Sequence, residues 1–139
     1  MTVTLKEPLS VALRKETAHA HENAEGSAFM QRLMSGQLSV EAAADLSGQL
    51  WFVYESLERA VRSVAHTPVA GAVADPRLER RFALEADLAA LVGGDWREKI
   101  RILPATASYV ARLEEVSGSA VEVVAHHYVR YLGDISGGQ

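Results

Sequence analysis

The sequence contains no cysteine. That excludes a disulfide framework, a thiolate-held zinc or iron–sulfur site, and a cysteine nucleophile. Positive charge is also in deficit: 14 Lys and Arg against 18 Asp and Glu leave a net charge of −4 with the five histidines neutral. A general nucleic-acid binder carries a basic excess, so no nucleic-acid partner is expected. No run approaches the roughly 20 apolar residues that span a bilayer. Lys6, Glu7 and Pro8 interrupt any apolar leader segment. A cytoplasmic protein without a membrane span is the expectation. Only four prolines occur, and strand-like alternation is scarce. What remains, 48% hydrophobic and 23% charged residues over 139 positions, is an ordinary globular mix of single-domain length.

Helical spacing recurs almost throughout. Ser10 is placed to cap a first helix running toward Ala24, and a short amphipathic stretch with Phe29, Leu33 and Met34 stops at Gly36. Ser39 is a candidate cap for the longest helix, Val40 to about Val64, whose Leu46, Leu50, Val53, Leu57 and Val61 form one stripe. His66 to Ala74 reads as a loop. Asp75 with Pro76 at the first helical position predicts a helix ending near Gly93 and Gly94. Pro104 opens another that ends by Gly118, and Ser119 begins the last, which runs into a glycine-rich end. No internal repeat or interdomain linker is visible. The expectation is a single all-α domain, residues 1–139, of about six helices.

Two features of this pattern bear on chemistry. His19 and His21 are two positions apart on the first helix, so they point about 200° apart and cannot share a ligand. The apolar stripe through Leu13, Ala20 and Ala24 leaves His21 at its edge and His19 facing water. Arg14 and Glu25 share the face of His21. A carboxylate one turn on can hold one imidazole nitrogen while the other ligates a metal. The alternative is a half-buried histidine with a single hydrogen bond to its neighbour. His126 and His127 are adjacent and point to different faces, and His66 sits in the loop. No histidine pair has the spacing of a zinc helix, and Glu16-Thr17-Ala18-His19 is the one Glu-x-x-His, where a di-iron bundle needs two.

The second feature is Gly133 and Gly137, four apart on one face of the last helix. Each costs a helix roughly 1 kcal/mol relative to alanine. A flat ligand or another helix pressed on the bare backbone would offset that cost. Alternatively, Gly137 and Gly138 simply end the helix. Asp134 would lie beside whatever rests on the glycines, with Arg130 one turn earlier as its i,i+4 partner.

These segments resemble the heme oxygenase family. Residues 14–25, RKETAHAHENAE, resemble its proximal helix, and residues 125–139, AHHYVRYLGDISGGQ, its distal helix. Residues 51–58 (WFVYESLE) and 84–88 (LEADL) fit the same order and spacing, so the resemblance covers nearly the whole chain and is strongest to bacterial members. It implies an all-helical fold holding heme between the two helices. It also implies cleavage of heme to biliverdin, carbon monoxide and ferrous iron with dioxygen and reducing equivalents from a reductase or ferredoxin. Heme is then both substrate and prosthetic group. Carried over, His21 is the axial iron ligand and Glu25 its partner. Gly133 and Gly137 let the distal helix approach the porphyrin. Asp134 orders distal water within a network that includes Arg130 and Tyr54, and Arg14 and Tyr128 meet the heme propionates.

Two departures accompany the match. Ala18 stands where some members carry a further base, and the family fold is expected to be truncated after the distal helix at Gln139. A non-catalytic heme-binding or heme-delivery protein is the alternative of a different class. A helical module that dimerises through its Gly-x-x-x-Gly face is a third.

Overall fold

The structure, a computed structural model, describes residues 7–137, with side chains over 7–136. Among them are eight α-helices and one 3-10 turn, and no strand. The helices are α1 (Leu9–Glu25), α2 (Ala28–Met34), α3 (Val40–Val64), α4 (Pro68–Gly71), α5 (Arg81–Leu91), α6 (Trp96–Lys99), α7 (Pro104–Val116) and α8 (Ala120–Gly137). The chain divides at Ser39 into two compact units.

The first unit holds α1 and α2. α1 starts one residue before the expected Ser10 cap, because the Pro8 carbonyl accepts from the Val11 and Ala12 N–H groups at 2.9 and 3.1 Å. Proline needs no donor of its own there. No residue of α1 is buried. Ser27 caps α2 through its hydroxyl on the Met30 N–H at 3.2 Å, and Gly36 ends the turn with a φ of +69° that other residues avoid.

The second unit is built around α3, whose bounds match the expected ones. α5, α7, α8 and α4 all pack against it, so its buried surface is wider than one stripe. Val53, Leu57 and Val61 are buried as expected, and so are Tyr54, Ser56, Glu58, Ala60 and Val64. Leu88, Leu113 and Val123, each fully buried, are core residues of α5, α7 and α8. Gly48 permits a close approach, since a Cβ there would stand 3.2 Å from the Ile100 side chain.

Three expectations need correction. The segment after α3 is not all loop: Thr67 caps α4 through the Ala70 N–H at 3.2 Å, and Ala70 is fully buried. Residues 96–99 form the short α6, because Trp96 is buried edge-on against Trp51 with ring centroids 5.2 Å apart. Asp75 and Pro76 start only the 3-10 turn Pro76–Leu78, and the chain extends at Glu79 before α5 begins at Arg81.

The last difference has a tertiary cause. The Glu58 carboxylate reaches from α3 to accept the Arg80 N–H at 2.6 Å and the Arg81 N–H at 3.3 Å. It therefore supplies the N-terminal cap that Asp75 was expected to give. The same carboxylate accepts the Tyr131 hydroxyl of α8 at 2.8 Å. Replacing Glu58 by alanine leaves one buried and two partly buried donors without an acceptor, so we expect a loss of about 3 kcal/mol in urea unfolding. Glu58→Gln, which keeps one carbonyl acceptor, should lose less than half as much. Equal losses in the two variants would show that a single carbonyl acceptor cannot satisfy these donors.

Candidate functional site

Tyr54 and Glu58 sit one turn apart on α3, and Tyr131 and Asp134 nearly one turn apart on α8. The two pairs meet with reversed polarity. Tyr54 on α3 donates to Asp134 on α8, while Tyr131 on α8 donates to Glu58 on α3. The two tyrosine rings meet edge to face at 5.3 Å. Asp134 also accepts from the guanidinium of Arg80 at 3.0 Å and from that of Arg130 at 3.4 Å. Both guanidiniums lie over the Tyr54 ring, at 5.1 and 5.8 Å from its centroid. Arg130 Nε is buried with no partner among the described residues. Burial, then the hydrogen bond to Asp134, pushes the Tyr54 hydroxyl up to about 12, so it stays a donor at physiological pH.

Asp134 is thus more than the surface partner of Arg130. The structure brings together Tyr54, Arg130 and Asp134, as the resemblance implied, and adds Arg80, Glu58 and Tyr131. Glu58 was detectable in principle as a charge one turn from Tyr54 on the apolar side of α3. Nothing in the local sequence marked Arg80.

The opposite side of α8 is open. Tyr128, Val129, Leu132 and Ile135 are all exposed there. α8 continues unbroken through Gly133 to Gly137, and a Cβ added at Gly133 would meet nothing within 4 Å. Neither packing nor a positive φ asks for glycine at that position. The alternative in which Gly137 and Gly138 form a helix stop involves Gly138, outside the described residues.

On α1, Arg14, His21 and Glu25 line one strip together with Thr17 and Ala18. His21 Nδ1 lies 3.4 Å from the Glu25 carboxylate, with both side chains about 70% exposed (71% and 69%). Its Nε2 has no partner among the described residues. His19 instead meets the Asn23 amide at 3.2 Å. The alternative of a half-buried His21 is not met, because α1 buries no residue. His126 Nδ1 pairs with the Tyr109 hydroxyl at 3.0 Å, and the His127 ring stacks on Tyr131 at 4.2 Å. Among the described residues no three His, Asp or Glu side chains cluster as a metal site. No described helix is long and apolar enough to cross a membrane.

Comparison with known proteins identifies the family and the fold. Residues 7–139 match the family model described as heme oxygenase. The chain is 42% identical over 138 residues to heme oxygenase 1 of Rattus norvegicus, covering 98% of this chain and 48% of that protein. It is 36% identical over 132 residues to heme oxygenase 1 of the cyanobacterium Synechocystis sp., covering 94% and 55%. The crystal structure of Synechocystis heme oxygenase-1 in complex with heme superposes with a TM-score of 0.82 at 36% identity, over 94% of this chain and 60% of that one. The structure of heme oxygenase from Leptospira interrogans gives 0.82 at 36%, over 96% and 65%. The chain belongs to the heme oxygenase family. It spans about half the length of the curated relatives it matches (48% and 55%).

The raised Tyr54 hydroxyl has a stability consequence. Unfolded tyrosine ionises near 10, while the folded one stays protonated to about 12. The stabilisation is therefore complete below pH 10 and is lost as pH rises from there toward 12. Unfolding midpoints measured across that window should fall less steeply for Tyr54→Phe than for the unsubstituted chain. Parallel slopes would show that Tyr54 does not titrate as part of the folded network.

Proposed function

We propose that this chain binds heme as a heme oxygenase does, with His21 of α1 as the iron ligand and the glycine-bearing face of α8 as a surface for the macrocycle. It then takes part in the dioxygen- and reductant-dependent cleavage of heme to biliverdin, carbon monoxide and ferrous iron. The observation that carries this reading is Gly133: a glycine inside a continuous helix, bare toward an exposed apolar face, beside a carboxylate held from three sides. A flat apolar substrate is the kind of object for which such a surface is shaped. The relatives' names and the heme-bound neighbour support the same choice.

In this reading His21 binds iron through Nε2, and Glu25 holds Nδ1–H so that the imidazole stays oriented. Arg14 and Tyr128 meet the propionates. Gly133 and Gly137 keep α8 slender enough for close approach. Bound heme supplies the iron-centred dioxygen chemistry that acts on its own ring. Asp134 orders water on the distal side and passes protons inward. Tyr54, Arg80 and Arg130 fix its carboxylate, and the unpartnered Arg130 Nε leaves a spare donor beside it. Electrons come from a reductase or ferredoxin, and the setting is cytoplasmic.

Two substitutions test the reading. His21→Ala should remove the six-coordinate histidine spectrum of the hemin complex, and added imidazole should restore it. His19→Ala should leave the spectrum unchanged, and the reverse outcome would overturn the ligand assignment. Asp134→Asn replaces an acceptor oxygen with an amide donor at nearly constant volume. Hemin affinity should hold while biliverdin formation, assayed with ascorbate or a reductase, falls by about a hundredfold, the lower range for a lost proton-delivery group. Hemin binding without any biliverdin from the unsubstituted chain would favour heme delivery over catalysis.

A further inference from the structure

The body-facing side of α8 carries a feature that heme binding does not use. His127 is only 7% exposed and stacks on Tyr131 with an interplanar angle of 17°, yet it makes no hydrogen bond among the described residues. It lines a cavity of about 160 Å³ bounded by α3, residues 65–79 and α8. A space of that size admits a ligand of a few heavy atoms and excludes a macrocycle. His127 is not among the residues with a fully buried unpartnered polar atom, so its partnerless imidazole is reached from the cavity and offers a hydrogen-bonding position there.

The surrounding chemistry selects the ligand. Val61, Val73 and Ala74 give the cavity an aliphatic wall. Three carboxylates, Glu58, Asp75 and Glu79, line it against one guanidinium, Arg62. Glu58 is engaged by Arg80, Arg81 and Tyr131, and Asp75 by Arg77. Glu79 uses one oxygen for Arg62 at 2.7 Å, and its other oxygen has no partner among the described residues. Burial pushes the His127 imidazole below its usual range, so near neutral pH it is uncharged and one ring nitrogen is an acceptor. The unfilled positions are therefore two acceptors beside an aliphatic wall, in a cavity with excess negative charge. An anion meets repulsion there.

We propose that this cavity binds a small organic monocation, a primary alkylammonium, whose N–H groups donate to the His127 ring and the Glu79 carboxylate while its alkyl chain lies on Val61, Val73 and Ala74. The test uses the full chain without heme, so its outcome is independent of the heme reading. n-Butylammonium, n-butanol and butyrate are titrated in turn, with the His127 ring resonance followed by NMR and the affinity measured by calorimetry. The ammonium alone should give a saturable shift in the millimolar range. Glu79→Gln should weaken it about tenfold, as for one lost charge-assisted hydrogen bond. His127→Phe keeps an aromatic ring on Tyr131 while removing both nitrogens, and should abolish binding without lowering the thermal midpoint. Absence of a saturable shift, equal binding of n-butanol, or unchanged affinity in both variants would overturn the proposal.

Discussion

A buried carboxylate in the middle of α3 organises the second unit of this protein. Glu58 is almost fully enclosed, a position that is costly for any charged group unless its oxygens are satisfied. Three donors satisfy them: two backbone N–H groups at the start of α5 and the Tyr131 hydroxyl of α8. One side chain thus ties three helices together and determines where α5 begins. It also anchors the backbone of Arg80, the residue whose guanidinium reaches Asp134 at 3.0 Å. Removing the carboxylate would loosen the cap, the helix contact and the arginine at once.

The two faces of α8 follow from that constraint. Its body side is held by a reciprocal pair of tyrosine–carboxylate bonds, with donors supplied once from each helix. Hydrogen bonds of this kind stabilise only modestly, but they are directional, and two side by side fix helix rotation as well as spacing. Rotation matters because it decides which residues the other face presents. With Tyr131 and Asp134 turned toward α3, Tyr128, Val129, Leu132 and Gly133 are left outward. The open apolar surface and the tethered acid beside it are consequences of one helix orientation.

α1 contrasts with this. It has no buried residue, and its His21, Glu25 and Arg14 are arranged by helical spacing alone. An imidazole held through one nitrogen by a carboxylate one turn away needs no tertiary support to be oriented. The histidine strip of α1 is therefore local in origin, and the acid network of α8 is a product of packing.

That division describes what could be read in advance. Periodicity located α3, along with α7 and the start of α8, because a long amphipathic helix writes its spacing into the chain. The shared face of Arg14, His21 and Glu25 followed from the 3.6-residue repeat, and the resemblance of residues 125–139 pointed to the family. Local pattern misplaced the start of α5 and overlooked α4 and α6. In the first case the cap comes from Glu58, 22 residues upstream of Arg80; in the others, burial of Ala70 and Trp96 stabilises helices too short to show a period. The sequence by itself determined the helical class, the longest helices and the histidine strip, since each depends on neighbours within a turn or two. Only the tertiary structure decided that Arg80 joins Asp134 and that Gly133 faces open space. Those depend on how α8 is rotated against α3, and the contacts that set that rotation join residues more than seventy positions apart, 73 for Glu58 and Tyr131 and 80 for Tyr54 and Asp134.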